Sequence, residues 1–105
     1  MIKVVIADDQ AMIRAGLATM LGAEDDIEVV ATASDGSEAV EQARSHGADV
    51  VCMDIRMPGT DGITATAQLC GPDVIDPIPV LIITTFDIDE YLFGALEAGA
   101  SGFLL

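Results

Sequence analysis

The chain has 105 residues, 51% of them hydrophobic, and sets 18 acidic side chains against four basic ones for a net charge of −14. That length suits one domain with one core, hiding roughly 65% of the unfolded surface. Nucleic-acid phosphates would repel such a chain, and no apolar run approaches the roughly 20 residues of a membrane span. An excess of acid instead suits a divalent cation or a basic partner surface. The opening "MIKVVIADD" runs directly into strand-like sequence without a signal-peptide core or cleavage site, so a cytoplasmic chain is expected. Cys52 and Cys70 form no C-x-x-C pair, which argues against a zinc site or structural disulfide. His46 stands in the last turn of a predicted helix, an ordinary place for an imidazole.

In chain order, "KVVIA" (3–7) reads as a buried strand. "QAMIRAGLATML" follows as a helix with Ile13, Leu17, Met20 and Leu21 on its inner face. "IEVVATA" (27–33) is the second strand. Asp35 and Glu38 resemble a capping box that opens a helix, and Gly47 ends it. "ADVVCM" (48–53) is the third strand. Thr60 or Asp61 can cap "GITATAQLC", whose inner face is predicted as Ile63, Thr66 and Ala67. "GPDVIDPIP", with three prolines, is a loop. "VLII" (80–83) is the fourth strand. Asp87 and Glu90 open a fourth helix with Leu92, Ala95 and Leu96 inward and Gly99 at its end, and "SGFLL" begins a fifth strand.

Alternating strands and helices with nearly continuous apolar strands predict an α/β fold: a doubly wound parallel five-stranded sheet with helices on both faces. The order 2-1-3-4-5 is expected, with strands 1 and 3 adjacent at the switch point. Sites in such sheets lie beyond the carboxyl ends of the strands. Strand 1 delivers Asp8 and Asp9 there, strand 3 delivers Asp54, and strand 4 delivers Thr84 and Thr85. Three carboxylates in one pocket repel unless a cation neutralises them. An all-oxygen set suits Mg²⁺, which takes octahedral oxygen ligands at about 2.1 Å and often shares them with phosphate. Beside such an ion, Asp54 is a candidate nucleophile that accepts a phosphoryl group as an acyl phosphate, with a threonine hydroxyl placed to bond a phosphoryl oxygen. No nucleotide-cradling glycine motif is present, so the donor must come from elsewhere.

Together "ADDQAMIRAGL", "DIRMPGTDG", "TTFDIDEY" and "ALEAGASGFLL" resemble the receiver domain of two-component response regulators, most closely the NarL/FixJ-like branch. The likeness spans residues 1–105 and implies a flavodoxin-like (CheY-like) fold. It also implies that Asp54 is the phosphoacceptor, served by a phosphohistidine on a sensor histidine kinase. Asp9, Asp54 and the backbone carbonyl of Arg56 would bind Mg²⁺, with Asp8 acting through water. Thr84 and Phe103 would be the switch pair, and Pro58 and Gly59 would shape the loop beside Asp54. Arg56 and Phe86 would tune the lifetime of the acyl phosphate, with Phe86 lengthening it. Met12 and Ile13 would adjoin the kinase-docking surface. The implied role is a signalling domain rather than an enzyme, with at most slow self-catalysed phosphorylation and dephosphorylation. A homodimer is a further implied partner, and DNA is contacted only through a separate helix-turn-helix output domain.

The family places a lysine just after the run matched by "GFLL", and then a fifth helix; the sequence here reaches Leu105, and Lys3 is its single lysine. A longer parent chain carrying the last helix and an output domain is therefore expected. Two alternatives differ in class. An aspartate-nucleophile phosphohydrolase needs an acid two residues after the nucleophile, where Arg56 stands. A binding module would be either flavodoxin-like, for which "ADDQAM" lacks a phosphate loop, or a phosphorylation-independent pseudo-receiver, which normally loses one acid of the cluster.

Overall fold

Each strand forms where β-branched and apolar residues run together, because only a sheet with both faces covered can bury such a run. The computed structural model describes residues 1–55, 57, 59–83 and 99, and the backbone of 102–104. Its elements are β1 (Ile2–Ala7), α1 (Ala11–Gly22), β2 (Ile27–Ala33), α2 (Gly36–His46), β3 (Val50–Met53), α3 (Gly62–Cys70), β4 (Val80–Ile83) and β5 (Gly102–Leu104). The strands form one parallel sheet in the order β2-β1-β3-β4-β5. This is the predicted doubly wound topology. The predicted fourth helix lies outside the described residues.

Strand alternation divides the core into two layers. Val5, Ala7, Val51, Met53, Val80 and Ile82 face Ala39 and Ala43 of α2 and Ala65 and Leu69 of α3. Val4, Ile6 and Cys52 face the other way, toward Leu17, Ala18 and Leu21 of α1. Cys52 is a reduced core residue and Cys70 is also free. Among the described residues no helix is long and apolar enough to cross a membrane.

Caps decide where the helices start and stop. Asp35 accepts the Glu38 N–H at 2.8 Å, and Asp61 accepts the Thr64 N–H at 2.7 Å, so Asp61 rather than Thr60 caps α3. Gly47 ends α2 with φ of 59°, a left-handed turn that glycine takes without strain. The His46 ring contacts the Gln42 carbonyl at 3.0 Å, a local helix-end contact.

Besides one-residue shifts at the starts of β1 and α1, three differences from expectation bear on the packing. β3 starts at Val50 because the Ala48 N–H is spent on the Ala43 carbonyl, closing α2, and the Asp49 N–H goes to Lys3. Met20 is 69% exposed. The inward stripe of α1 runs through Leu17, Ala18 and Leu21, with Arg14 at its edge, and this turns Met20 to the rim. In α3, Ala67 is exposed and the buried residues are Gly62, Ala65, Thr66 and Leu69, one position round from the predicted face.

The cause of that rotation is Gly62. A Cβ at this position would meet the Asp54 carbonyl oxygen, and the Gly62 N–H donates to the Ile55 carbonyl at 2.8 Å. The first turn of α3 is thus packed backbone to backbone on the end of β3. Thr66 is buried on the same face because its hydroxyl bonds the Gly62 carbonyl at 2.6 Å. Gly62→Ala should destabilise the chain by about 3 kcal/mol or more, since a backbone neighbour cannot yield cheaply. Gly16→Ala, in a helix with open space around it, should stabilise by about 0.5–1 kcal/mol. Urea denaturation measures both, and a Gly62→Ala midpoint equal to wild type would contradict the packing.

Candidate functional site

The pocket is assembled by adjacent strand ends. Ala7 pairs with Met53 in the β1–β3 ladder, and the Asp54 N–H continues it to the Ala7 carbonyl at 2.9 Å. The next residue along β1 is Asp8, whose N–H bonds the Ala33 carbonyl of β2 at 3.0 Å. Register therefore delivers acids from both strands to the same edge. One ligand oxygen from each of Asp8, Asp9 and Asp54 lies within 4.8 Å of the others.

The three differ in surroundings. Asp8 is buried, Asp54 half-buried and Asp9 exposed. Asp8 Oδ1 accepts the Gln10 N–H at 2.8 Å, which folds the β1–α1 loop into a tight Asx turn. The Asp8 carbonyl accepts from the Arg14 guanidinium at 2.6 Å. Asp54 Oδ1 accepts the Ile55 N–H at 2.8 Å, fixing the rotation of its carboxylate. Ile55 and Met57 bury their side chains in the core and anchor the loop that follows, while Gly59 turns it with φ of 71°. The loop is held again where the Gly36 N–H meets the Thr60 carbonyl at 2.8 Å.

The predicted acids are thus brought together. Arg56, Pro58, Thr84, Thr85 and Phe86 lie outside the described residues. So does the side chain of Phe103, whose backbone pairs with Ile82. Met12 is 88% exposed on the first turn of α1, whereas Ile13 is half-buried. Reading the sequence alone missed Gly62, Ile55, Met57 and Arg14. The alternation of Ile55 and Met57 was a usable signal, and so was a cation near a helix start, where the macrodipole disfavours it.

The family model described as "Response regulator receiver domain" matches residues 4–105. The chain is 46% identical over all 105 residues to the transcriptional regulatory protein LiaR of Bacillus subtilis, covering 49% of that protein. It is 43% identical over 104 residues to the oxygen regulatory protein NreC of Staphylococcus epidermidis, covering 98% of this chain and 47% of that one. The chain spans about half the length of these curated relatives. Among solved structures, the signal receiver domain of a response regulator described as NarL from Mycobacterium tuberculosis superposes with a TM-score of 0.90 at 36% identity, covering 99% of this chain and 82% of that one. Fold and sequence together define a receiver domain, the signalling domain of two-component response regulators, and the chain belongs to that family. Its relatives set it in the NarL/FixJ-like branch.

Burial raises the Asp8 pKa above its ordinary 3.8; the Gln10 N–H opposes this, the Asp9 charge adds to it, and the Arg14 charge opposes it. The folded chain therefore keeps this proton to higher pH than the unfolded chain. Stability falls as pH rises from 3.8 through the folded value, and neutral pH carries the full cost. Asp8→Asn retains an oxygen for the Gln10 N–H. In chelator at pH 7 it should melt above wild type, and the gap should close as pH falls toward 3.8. Equal or lower melting at pH 7 would contradict the assignment of cost to Asp8.

Proposed function

We propose that this receiver domain is a Mg²⁺-dependent phosphoryl acceptor, with Asp54 taking its phosphoryl group from a phosphohistidine on a sensor histidine kinase. The observation that carries this reading is the convergence of three carboxylates within 4.8 Å at the ends of β1 and β3. The donor set fits the ion: all oxygen, anionic and on one edge. Asp9 and Asp54 would hold Mg²⁺ directly, with Asp8 through water and the Arg56 carbonyl as a further ligand. Bound there, Mg²⁺ supplies positive charge to the phosphoryl oxygens.

The remaining chemistry belongs to the chain. A carboxylate oxygen of Asp54 attacks phosphorus in line with the leaving imidazole nitrogen. A P–O bond forms as the P–N bond breaks, and the imidazole departs with the electron pair. The Ile55 N–H on Oδ1 keeps the carboxylate in one orientation during this exchange. The Thr84 hydroxyl is assigned to a phosphoryl oxygen, and Phe103 to the inward turn that accompanies it. The modified side chain carries nearly two negative charges and biases an existing equilibrium of the β4–β5 region.

Met12, exposed on the first turn of α1, is assigned to the kinase-facing surface, while the half-buried Ile13 belongs to the packing of α1. In the parent chain the output is a helix-turn-helix domain that binds DNA, with a homodimer as a further partner and the cytoplasm as the compartment. The relative LiaR is itself a transcriptional regulatory protein, which supports that output. The pseudo-receiver alternative is disfavoured because all three acids of the cluster are kept.

Incubation with acetyl phosphate, followed by intact mass measurement, tests the proposal. One phosphoryl adduct should form, require Mg²⁺ and vanish in Asp54→Asn. An adduct of equal yield in Asp54→Asn, or with Mg²⁺ chelated, would contradict it.

A further inference from the structure

The loop that carries Asp8 and Asp9 is held in an unusual way. Helix α1 has Gln10 at its N-cap with no side-chain cap, no acid in its first turn and no base in its last. Its single charged residue is Arg14, a cation one turn from the positive end of the helix dipole. Two ordinary rules for starting a helix are thus broken at the same place, directly behind the acidic pocket. Such departures are expected where a site imposes its own demands.

Arg14 has a definite partner. Helical side chains lean toward the N-terminus, and the guanidinium reaches back six residues to donate to the Asp8 carbonyl at 2.6 Å. Asp8 is then fixed from three sides: N–H to Ala33 of β2, Oδ1 to the Gln10 N–H, and carbonyl to Arg14. The bond to Ala33 anchors the peptide before Asp8, and the bond from Arg14 anchors the peptide leading into Asp9. Asp9, which is exposed, follows directly on that second peptide.

We propose that Arg14 is the positioning residue of the acidic pocket, acting through the Asp8 carbonyl to hold Asp8 and Asp9 in register with Asp54 for a divalent cation. This rests on the metal reading given above. Two effects of Arg14 on cation binding have opposite signs. Its charge repels a cation, so losing the charge alone would tighten binding. Its hydrogen bond preorganises the ligands, so losing the bond weakens binding. Positioning dominates because the hydrogen bond is short and direct.

Calorimetric titration with Mg²⁺ on wild type, Arg14→Met and Arg14→Lys tests this, run well below the melting temperature of each, with folding verified by circular dichroism. Arg14→Met keeps much of the stem and loses the guanidinium. Its Mg²⁺ dissociation constant should rise about 10-fold or more, the usual effect of removing a residue that orients a ligand. Arg14→Lys keeps a donor and should recover part of the loss, which a merely structural role would not require. Wild-type binding with an unchanged or lower dissociation constant in Arg14→Met would overturn the positioning role and leave the metal reading intact. Absence of Mg²⁺ binding by folded wild type would overturn both. If Arg14→Met does not fold, a dissociation constant for Arg14→Lys equal to wild type or below it overturns the role, and one raised several-fold supports it.

Discussion

One backbone hydrogen bond sets the geometry on which the rest of this molecule depends: Asp54 N–H to the Ala7 carbonyl, 2.9 Å long. It is the last rung of the β1–β3 ladder, and it fixes where two strand ends stop relative to one another. Because the strands are parallel and neighbouring, the residues just past the final rung project from the same edge. A slip of one residue would send Asp54 to the opposite face of the sheet and break the cluster. Register is protected by the core on both faces. Val5, Ala7, Val51 and Met53 belong to one layer, while Val4, Ile6 and Cys52 belong to the other.

The packing that stabilises the sheet also holds an unfavourable arrangement of charge. Bringing three carboxylates together costs free energy, and Asp8 bears the further cost of burial. The compensation is local and mostly made by the backbone: N–H groups of Gln10 and Ile55 face the carboxylates, and Gly62 allows α3 to press on the end of β3. Without those anchors the acids would spread apart in solution. Their rigidity is what would let a cation bind without reorganising the loops, and it ties the Gly62 contact, made on the backbone of Asp54 itself, to the function of that residue.

Much of this was legible in the sequence because the fold writes its site at strand ends. Continuous apolar runs marked the strands, and the first acid after each run marked the pocket. The Asp35 and Asp61 caps were legible too, since an acceptor three residues before an N–H is a local pattern. What could not be read was anything set by distant packing. The face of α3 depends on a contact between Gly62 and Asp54, eight residues apart and joined only by the fold. Met20 was placed inward by periodicity, but the small Ala18 and the stem of Arg14 shift the buried stripe away from it. Arg14 itself looks like an ordinary surface cation until its carbonyl partner is known.

Locating the modified residue separates Asp54 from every other acceptor in the chain. After treatment with acetyl phosphate and Mg²⁺, borohydride reduction converts an aspartyl phosphate to homoserine, and peptide mass spectrometry reads its position. The account predicts homoserine at position 54 and at no other acid of the cluster. Homoserine at position 8 or 9, or phosphate retained on a serine or threonine, would contradict it.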